Sequence, residues 1–200
     1  DLGELLSDLI DPKISDILES GDYPSGAFET TNYPTRPQTD IQAQFRKMRN
    51  GKLQNNSCLT EHLYSKHKPH IVRKFKSMIK NNGQIPENLK TKKFAQKLLK
   101  KNWTDKGPTI TTTSLPDDFV HFSQPRILTV REWARLQMFP DWYQFSGHRT
   151  TGGLRRAGNP RKGNHDRDLP KYTQIGNAVP VKLAEHIGLH FKKIIKDYLA

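Results

Sequence analysis

Apolar residues at Leu2, Leu5, Leu6, Leu9, Ile10, Ile14, Ile17 and Leu18 open the chain at helical spacing. The period breaks at Asp11-Pro12, so the pattern predicts two short helices rather than one. From 21 to 40 the periodicity fades, while Gly21, Pro24, Gly26, Pro34 and Pro37 punctuate the chain. That stretch reads as an extended connector. Residues 69–80 restore a helical stripe, with Ile71, Val72, Phe75, Met78 and Ile79 on one face and basic residues opposite. Pro69 suits a first helical turn, and Asn82-Gly83 suits a stop. A second basic amphipathic helix is predicted over 91–101, with Thr91 as its cap and Phe94, Leu98 and Leu99 facing inward.

Residues 108–115 alternate Thr and Ile and read as a strand. Leu128 to Met138 predicts a helix. Its Thr129 and Glu132 have the spacing of a capping box, in which two side chains satisfy amide donors left free at a helix start. Phe139-Pro140-Asp141 stops it. Residues 146–170 are rich in Gly, Pro and Arg without an apolar period and read as a long loop. Pro180 opens a final helix, striped by Leu183, Ala184, Ile187, Phe191, Ile194, Ile195 and Tyr198. No internal repeat is present.

Composition changes this picture in one respect. With 34% hydrophobic residues and a mean hydropathy of −0.80, the core is modest for a chain of 200 residues. A part that leans on another domain has such a composition, and so does a small core carrying long solvated loops. Charge is unevenly spread around a net +13. Residues 1–40 hold nine acidic side chains against Lys13 and Arg36, whereas 66–106 hold thirteen Lys or Arg against Glu87 and Asp105. An acidic lead-in followed by a polyanion-facing module fits, although a solvated helix face gives the same run. Cys58 is the only cysteine, which excludes an internal disulfide and a Cys-x-x-Cys metal pair. No signal peptide or long apolar run is found, so no membrane is expected and the expected location is the cytoplasm. The first residue is Asp, from which a piece of something longer is expected.

Two stretches carry most of the chemical information: Leu128 to Tyr143, LTVREWARLQMFPDWY, and Gln174 to His186, QIGNAVPVKLAEH. Together they resemble motifs IX and X, the last two blocks of the DNA (cytosine-5)-methyltransferases. The other signatures of that family do not occur here. Cys58 lies in Asn-Asn-Ser-Cys-Leu-Thr rather than a Pro-Cys loop. There is no Glu-Asn-Val block, no Phe-x-Gly-x-Gly loop and no Gln-x-Arg-x-Arg block. Leu5 to Ile10, LLSDLI, resembles the segment that follows the last of these.

The resemblance implies a mixed α+β architecture. It comprises a small, irregular target-recognition domain and a C-terminal helix that packs on a Rossmann-like catalytic domain outside this sequence. It divides the chain into a lead-in and connector (1–44), a target-recognition domain (45–172) and a returning segment (173–200). The middle part includes motif IX (126–143) and the basic loop (146–170); the last is motif X with its helix. By the same resemblance Asn177, Ala178 and Val179 line an S-adenosylmethionine pocket shared with the missing half. Gly176 permits close backbone approach before a helix begins, and Asn177 offers both a donor and an acceptor.

Thr109 and Ile110 resemble the Thr-hydrophobic pair beside the phosphate flanking a flipped cytosine, though a strand gives the same pattern. Arg149, Arg155, Arg156, Arg161 and Lys162, spaced by glycines, suit contact with a phosphate backbone or groove, or form a solvated excursion. Arg126, Arg131 and Arg135 read as structural, pairing with carboxylates and backbone carbonyls. The implied partners are double-stranded DNA and a catalytic domain or subunit carrying motifs I to VIII. The implied activity is methyl transfer to carbon 5 of cytosine in a specific DNA site, as in restriction-modification, with no catalytic residue of its own and no activity from this chain alone; the implied location is the bacterial cytoplasm, in association with the nucleoid. The other readings are a non-enzymatic basic nucleic-acid-binding module and a catalytically inactive regulatory homologue.

Overall fold

A computed structural model describes the chain except residues 55–57, 91–95, 103–107, 111–117, 151–159, 164, 166–167 and 200. The predicted break at Asp11-Pro12 is real. Helix α1 (Leu2–Leu6) runs into a single 3-10 turn (Ser7–Leu9), and α2 (Pro12–Ser20) starts afresh. The Asp11 carboxylate accepts the Lys13 amide at 3.0 Å, and Pro12 occupies the first helical turn, where its missing N–H costs nothing. Gly21, at φ 80°, turns the chain out of α2 and donates to Ile17 O.

The connector is extended and paired. Its backbone exchanges hydrogen bonds with 59–64, among them Leu59 N to Thr31 O at 3.0 Å and Tyr64 N to Phe28 O at 2.7 Å. A short helix, α3 (Asp40–Phe45), follows, with Thr39 capping the Gln42 amide. The sequence pattern did not reveal it, although Thr39 and Gln42 have capping-box spacing. Helix α4 (Pro69–Lys80) matches its predicted bounds. It buries Val72 against Ile14, Leu18, Phe28 and Tyr64, and Phe75 and Met78 against Val120 and Ile127.

The expected helix over 91–101 is not formed in its described part. Residues Lys97–Leu98 are strand β1, pairing in parallel with β2 (Phe119–Val120) in the register Lys97↔Phe119 and Leu98↔Val120. Leu99 is buried, as predicted. It is held by its amide bond to Val120 O at 2.9 Å rather than by a helical turn. This non-local bond outcompetes the local helical preference of Gln96 to Lys101. Of the strand expected over 108–115, residues 108–110 have no regular structure, and 111–115 lie outside the described residues.

Helix α5 (Val130–Leu136) carries the predicted capping box and forms the centre of the molecule: six of its seven residues are buried. Trp133, fully buried, packs in a cluster with Leu2, Leu99, Phe119, Phe145 and Tyr172. The loop after it leads to a short 3-10 turn (Pro160–Lys162), then to α6 (Lys171–Asn177) and the 19-residue α7 (Val181–Leu199). Among the described residues the architecture is thus mixed α+β, with more helix than strand and a two-stranded sheet. Among the described residues no helix is long and apolar enough to cross a membrane.

Candidate functional site

Helix α5 is buried all round yet carries three charges, so each must be answered inside the protein. Arg126 grips Glu132 in a two-pronged pair, Nη1 to Oε2 at 2.8 Å and Nη2 to Oε1 at 2.7 Å. The same carboxylate accepts the Thr129 amide at 2.8 Å. Arg135 joins Asp141 (2.6 Å) to Asp8 (2.5 Å), and Asp8 also receives Arg46 at 2.5 Å. Arg131 donates to Thr60 O and Tyr143 O. All three arginines have the structural role expected of them. Burial pushes the Glu132 carboxyl up, but Arg126 more than offsets this and holds it well below the usual carboxylate range.

Histidines complete this cluster. His62 Nε2 lies 3.0 Å from Leu9 O, which can only accept, so this nitrogen carries the proton; Nδ1 then receives the Thr129 hydroxyl at 2.9 Å. Burial, with help from Arg126, lowers the pKa values of His62 and His67 to about 4 and that of His121 to about 3. In the unfolded chain the same rings take up protons near pH 6.5. The folded state therefore binds fewer protons between those limits, and stability falls as pH drops from about 6.5 towards 4. The expected result is a melting temperature that is level from pH 8 to 7 and declines steadily from pH 6.5 to 5, read by circular dichroism. A level profile down to pH 5 would show that these rings are not buried in neutral form.

The cofactor candidates lie at the last residue of α6 and on its connection to α7. Asn177 and Val179 are exposed, Val179 at 62%, and Ala178 is half-buried. Among the described residues no side chain bonds the Asn177 carboxamide, which leaves a donor and an acceptor facing outward beside an exposed valine. Gly176 lies inside α6 rather than just before a helix, so the turn begins one residue later than the sequence implied.

The connection is fixed from α5. The Gln137 carboxamide donates to Ile175 O and Ala178 O, both at 3.2 Å, and Val181 N donates to Gln137 O at 3.1 Å. A second tie runs from Lys171 to both oxygens of Glu61 at 2.8 Å. Glu61 itself adopts φ 63°, uncommon for a residue with a side chain. Neither Gln137 nor Glu61 was singled out in the sequence; their partners are far along the chain, and no local pattern points to them.

The nucleic-acid candidates are dispersed. Thr109 is exposed, and Ile110 is half-buried against the Trp133 cluster. Arg149 turns inward, donating to Leu63 O and Ser65 Oγ at 3.1 Å. Arg161 and Lys162 are exposed on their 3-10 turn. Arg155 and Arg156 lie outside the described residues. Part of the basic run 66–106 is used internally: Lys74 donates to Gln96 Oε1 at 2.7 Å, Lys76 pairs with Glu19 at 2.7 Å, and Lys66 donates to Pro24 O. Lys68, Arg73 and Lys80 face solvent. Cys58 is exposed.

The most conspicuous surface follows directly on the Asn177–Val179 turn. No residue of α7 is buried. Leu183, Ile187, Phe191, Ile194, Ile195 and Tyr198 are between 46% and 90% exposed, and their spacing places them on one stripe. Monomeric proteins rarely leave so large an apolar face to water.

A family model described as C-5 cytosine-specific DNA methylase matches residues 15–193. The type II methyltransferase M.DdeI of Desulfomicrobium norvegicum is 29% identical over 210 residues, which take in 96% of this chain and 44% of that protein. M.AquIB of Picosynechococcus sp., also a type II methyltransferase, is 33% identical over 144 residues, 72% of this chain and 95% of that protein. The DNA (cytosine-5)-methyltransferase CMT1 of rice, Oryza sativa subsp. japonica, is 38% identical over 88 residues, 43% of this chain and 6% of that protein. The chain thus spans less than half the length of M.DdeI, but nearly all of M.AquIB.

Proposed function

The chain belongs to the C-5 cytosine-specific DNA methylase family, and on that premise we propose that it is the part of such an enzyme that recognises DNA and closes the cofactor pocket. The observation that carries this reading is α7. Its apolar stripe has no cover within the described residues, and it follows without interruption on the Asn177–Val179 turn. A catalytic domain carrying motifs I to VIII covers that stripe and supplies the rest of the pocket. M.AquIB supports the arrangement, since a type II methyltransferase chain can consist almost wholly of the region matched here.

S-adenosylmethionine, when bound, supplies the methyl group from its sulfonium. Asn177 offers it a hydrogen-bonding edge, and Ala178 and Val179 an apolar one. Attack on carbon 6 of cytosine needs a thiolate, and the base must leave the duplex to be reached. The exposed Cys58 lacks the Pro-Cys context, so that thiolate belongs to the partner. On the DNA side Thr109 and Ile110, Arg161 and Lys162, with Arg155 and Arg156, approach the backbone and groove. Arg149 acts from behind, fixing the start of the basic loop to Leu63 and Ser65. Lys68, Arg73 and Lys80 add phosphate neutralisation, which positions DNA without reading it.

The cofactor assignment is tested in the complex with the catalytic domain. Asn177→Ala is expected to weaken equilibrium binding of S-adenosylmethionine about tenfold, the loss of one or two hydrogen bonds. Unchanged affinity would remove Asn177 from the site.

A further inference from the structure

We propose that Gln137 is a positioning residue for the cofactor turn, through which the recognition side of the molecule sets the geometry of residues 175–181. The inference rests on the pocket assignment above and extends it to a residue that touches neither DNA nor cofactor.

Gln137 sits at the C-terminal end of α5, where the backbone carbonyl no longer has an intrahelical partner. That carbonyl accepts Val181 N at 3.1 Å, which fixes the start of α7. The side chain, only 5% exposed, reaches the other end of the same segment. Its Nε2 donates to Ile175 O and Ala178 O, both at 3.2 Å. Three bonds from one residue therefore bracket a seven-residue segment, and Asn177 and Val179 project from between the anchors.

A primary amide is well suited to this task. It presents two N–H donors from one atom, whereas a carboxylate of the same shape presents only acceptors. A thioether of similar length fills the space but leaves two carbonyl oxygens without their donor. The anchor itself is rigid: α5 is held at one end by the Arg126–Glu132 pair and at the other by Arg135 between Asp8 and Asp141. The backbone of the turn thus takes its position from the helix that also organises the recognition domain.

The test uses the complex with the catalytic domain and compares Gln137→Met, Gln137→Glu and Asn177→Ala with the parent protein. Equilibrium binding of S-adenosylmethionine and its KM are measured, with kcat at saturating cofactor and DNA affinity beside them. Gln137→Met is expected to raise the cofactor Kd and KM about tenfold, with kcat and DNA affinity within about twofold. Gln137→Glu should do more harm than Gln137→Met, although it is closer in shape, because it sets a carboxylate against two carbonyl oxygens. A role in packing alone reverses that order, or lowers kcat and the melting temperature while KM stays put; either result overturns the proposal. If Asn177→Ala weakens cofactor binding but both Gln137 variants leave it unchanged, the positioning role fails alone. If none of the three weakens it, the pocket assignment fails as well.

Discussion

Aspartate at both Phe191 and Ile194 is expected to abolish assembly with the catalytic domain while leaving the chain's own fold intact. The two side chains are 57% and 46% exposed, and α7 buries no residue within the described chain. Replacing them therefore disturbs no buried packing, and the melting temperature of the isolated chain should move by no more than about 2 °C. In the complex the balance is different. Each large apolar side chain contributes roughly 1.5–3 kcal/mol when buried, and an unpaired carboxylate costs several kcal/mol more to desolvate. Together these exceed about 4 kcal/mol, roughly a thousandfold in affinity. Size-exclusion chromatography of mixtures with the catalytic domain reads this directly. Co-elution of the double variant at unchanged affinity would show that α7 does not carry the interface.

Arg135→Met should be the most destabilising change within the chain itself. The guanidinium is fully buried between Asp141 and Asp8, with a further bond to Leu5 O at 2.8 Å. Burial acts to lower its pKa, but the two carboxylates outweigh that and raise it, so it stays charged. Methionine fills much of the volume yet leaves two buried carboxylates short of a cation. Breaking one partner of a buried pair costs about 3–5 kcal/mol, a large part of the roughly 5–15 kcal/mol available to a domain. Adding Asp141→Asn should recover part of the loss by removing one of the stranded charges. Urea unfolding of the single and double variants measures both effects. A loss below about 1 kcal/mol for Arg135→Met would mean that the network is not holding the lead-in to α5.

The elements legible in the sequence were those whose signals are local. The Thr129–Glu132 capping box fixed the start of α5, and Pro69 with Asn82-Gly83 bounded α4. The stripe of α7 was visible as a period, and the resemblance implied that its cover lies outside this sequence; among the described residues it has none. The misread segment, 96–101, contains Leu98 and Leu99, which suit a helix face and a short strand equally well. The choice was made by Val120, some twenty residues away. Helix α3 has little local signal, since its apolar pattern amounts to little more than Ile41 and Phe45.

The site divides the same way. Asn177 to Val179 could be proposed because they lie within one contiguous block. The distant partners that hold that block in place could not be read so. Gln137 reaches across 38 positions to Ile175, Lys171 across 110 to Glu61, and Arg135 across 127 to Asp8. His62 and His121 become informative only once the fold sets them beside Glu132 and Arg126.

The most direct test is transfer of a labelled methyl group from S-adenosylmethionine to carbon 5 of cytosine in duplex DNA. It is measured for this chain alone, for the catalytic domain alone, and for the two together. The account predicts background counts from either part and robust incorporation from the mixture. Methyl transfer by this chain in isolation would contradict it, because the attacking thiolate would then lie within these residues.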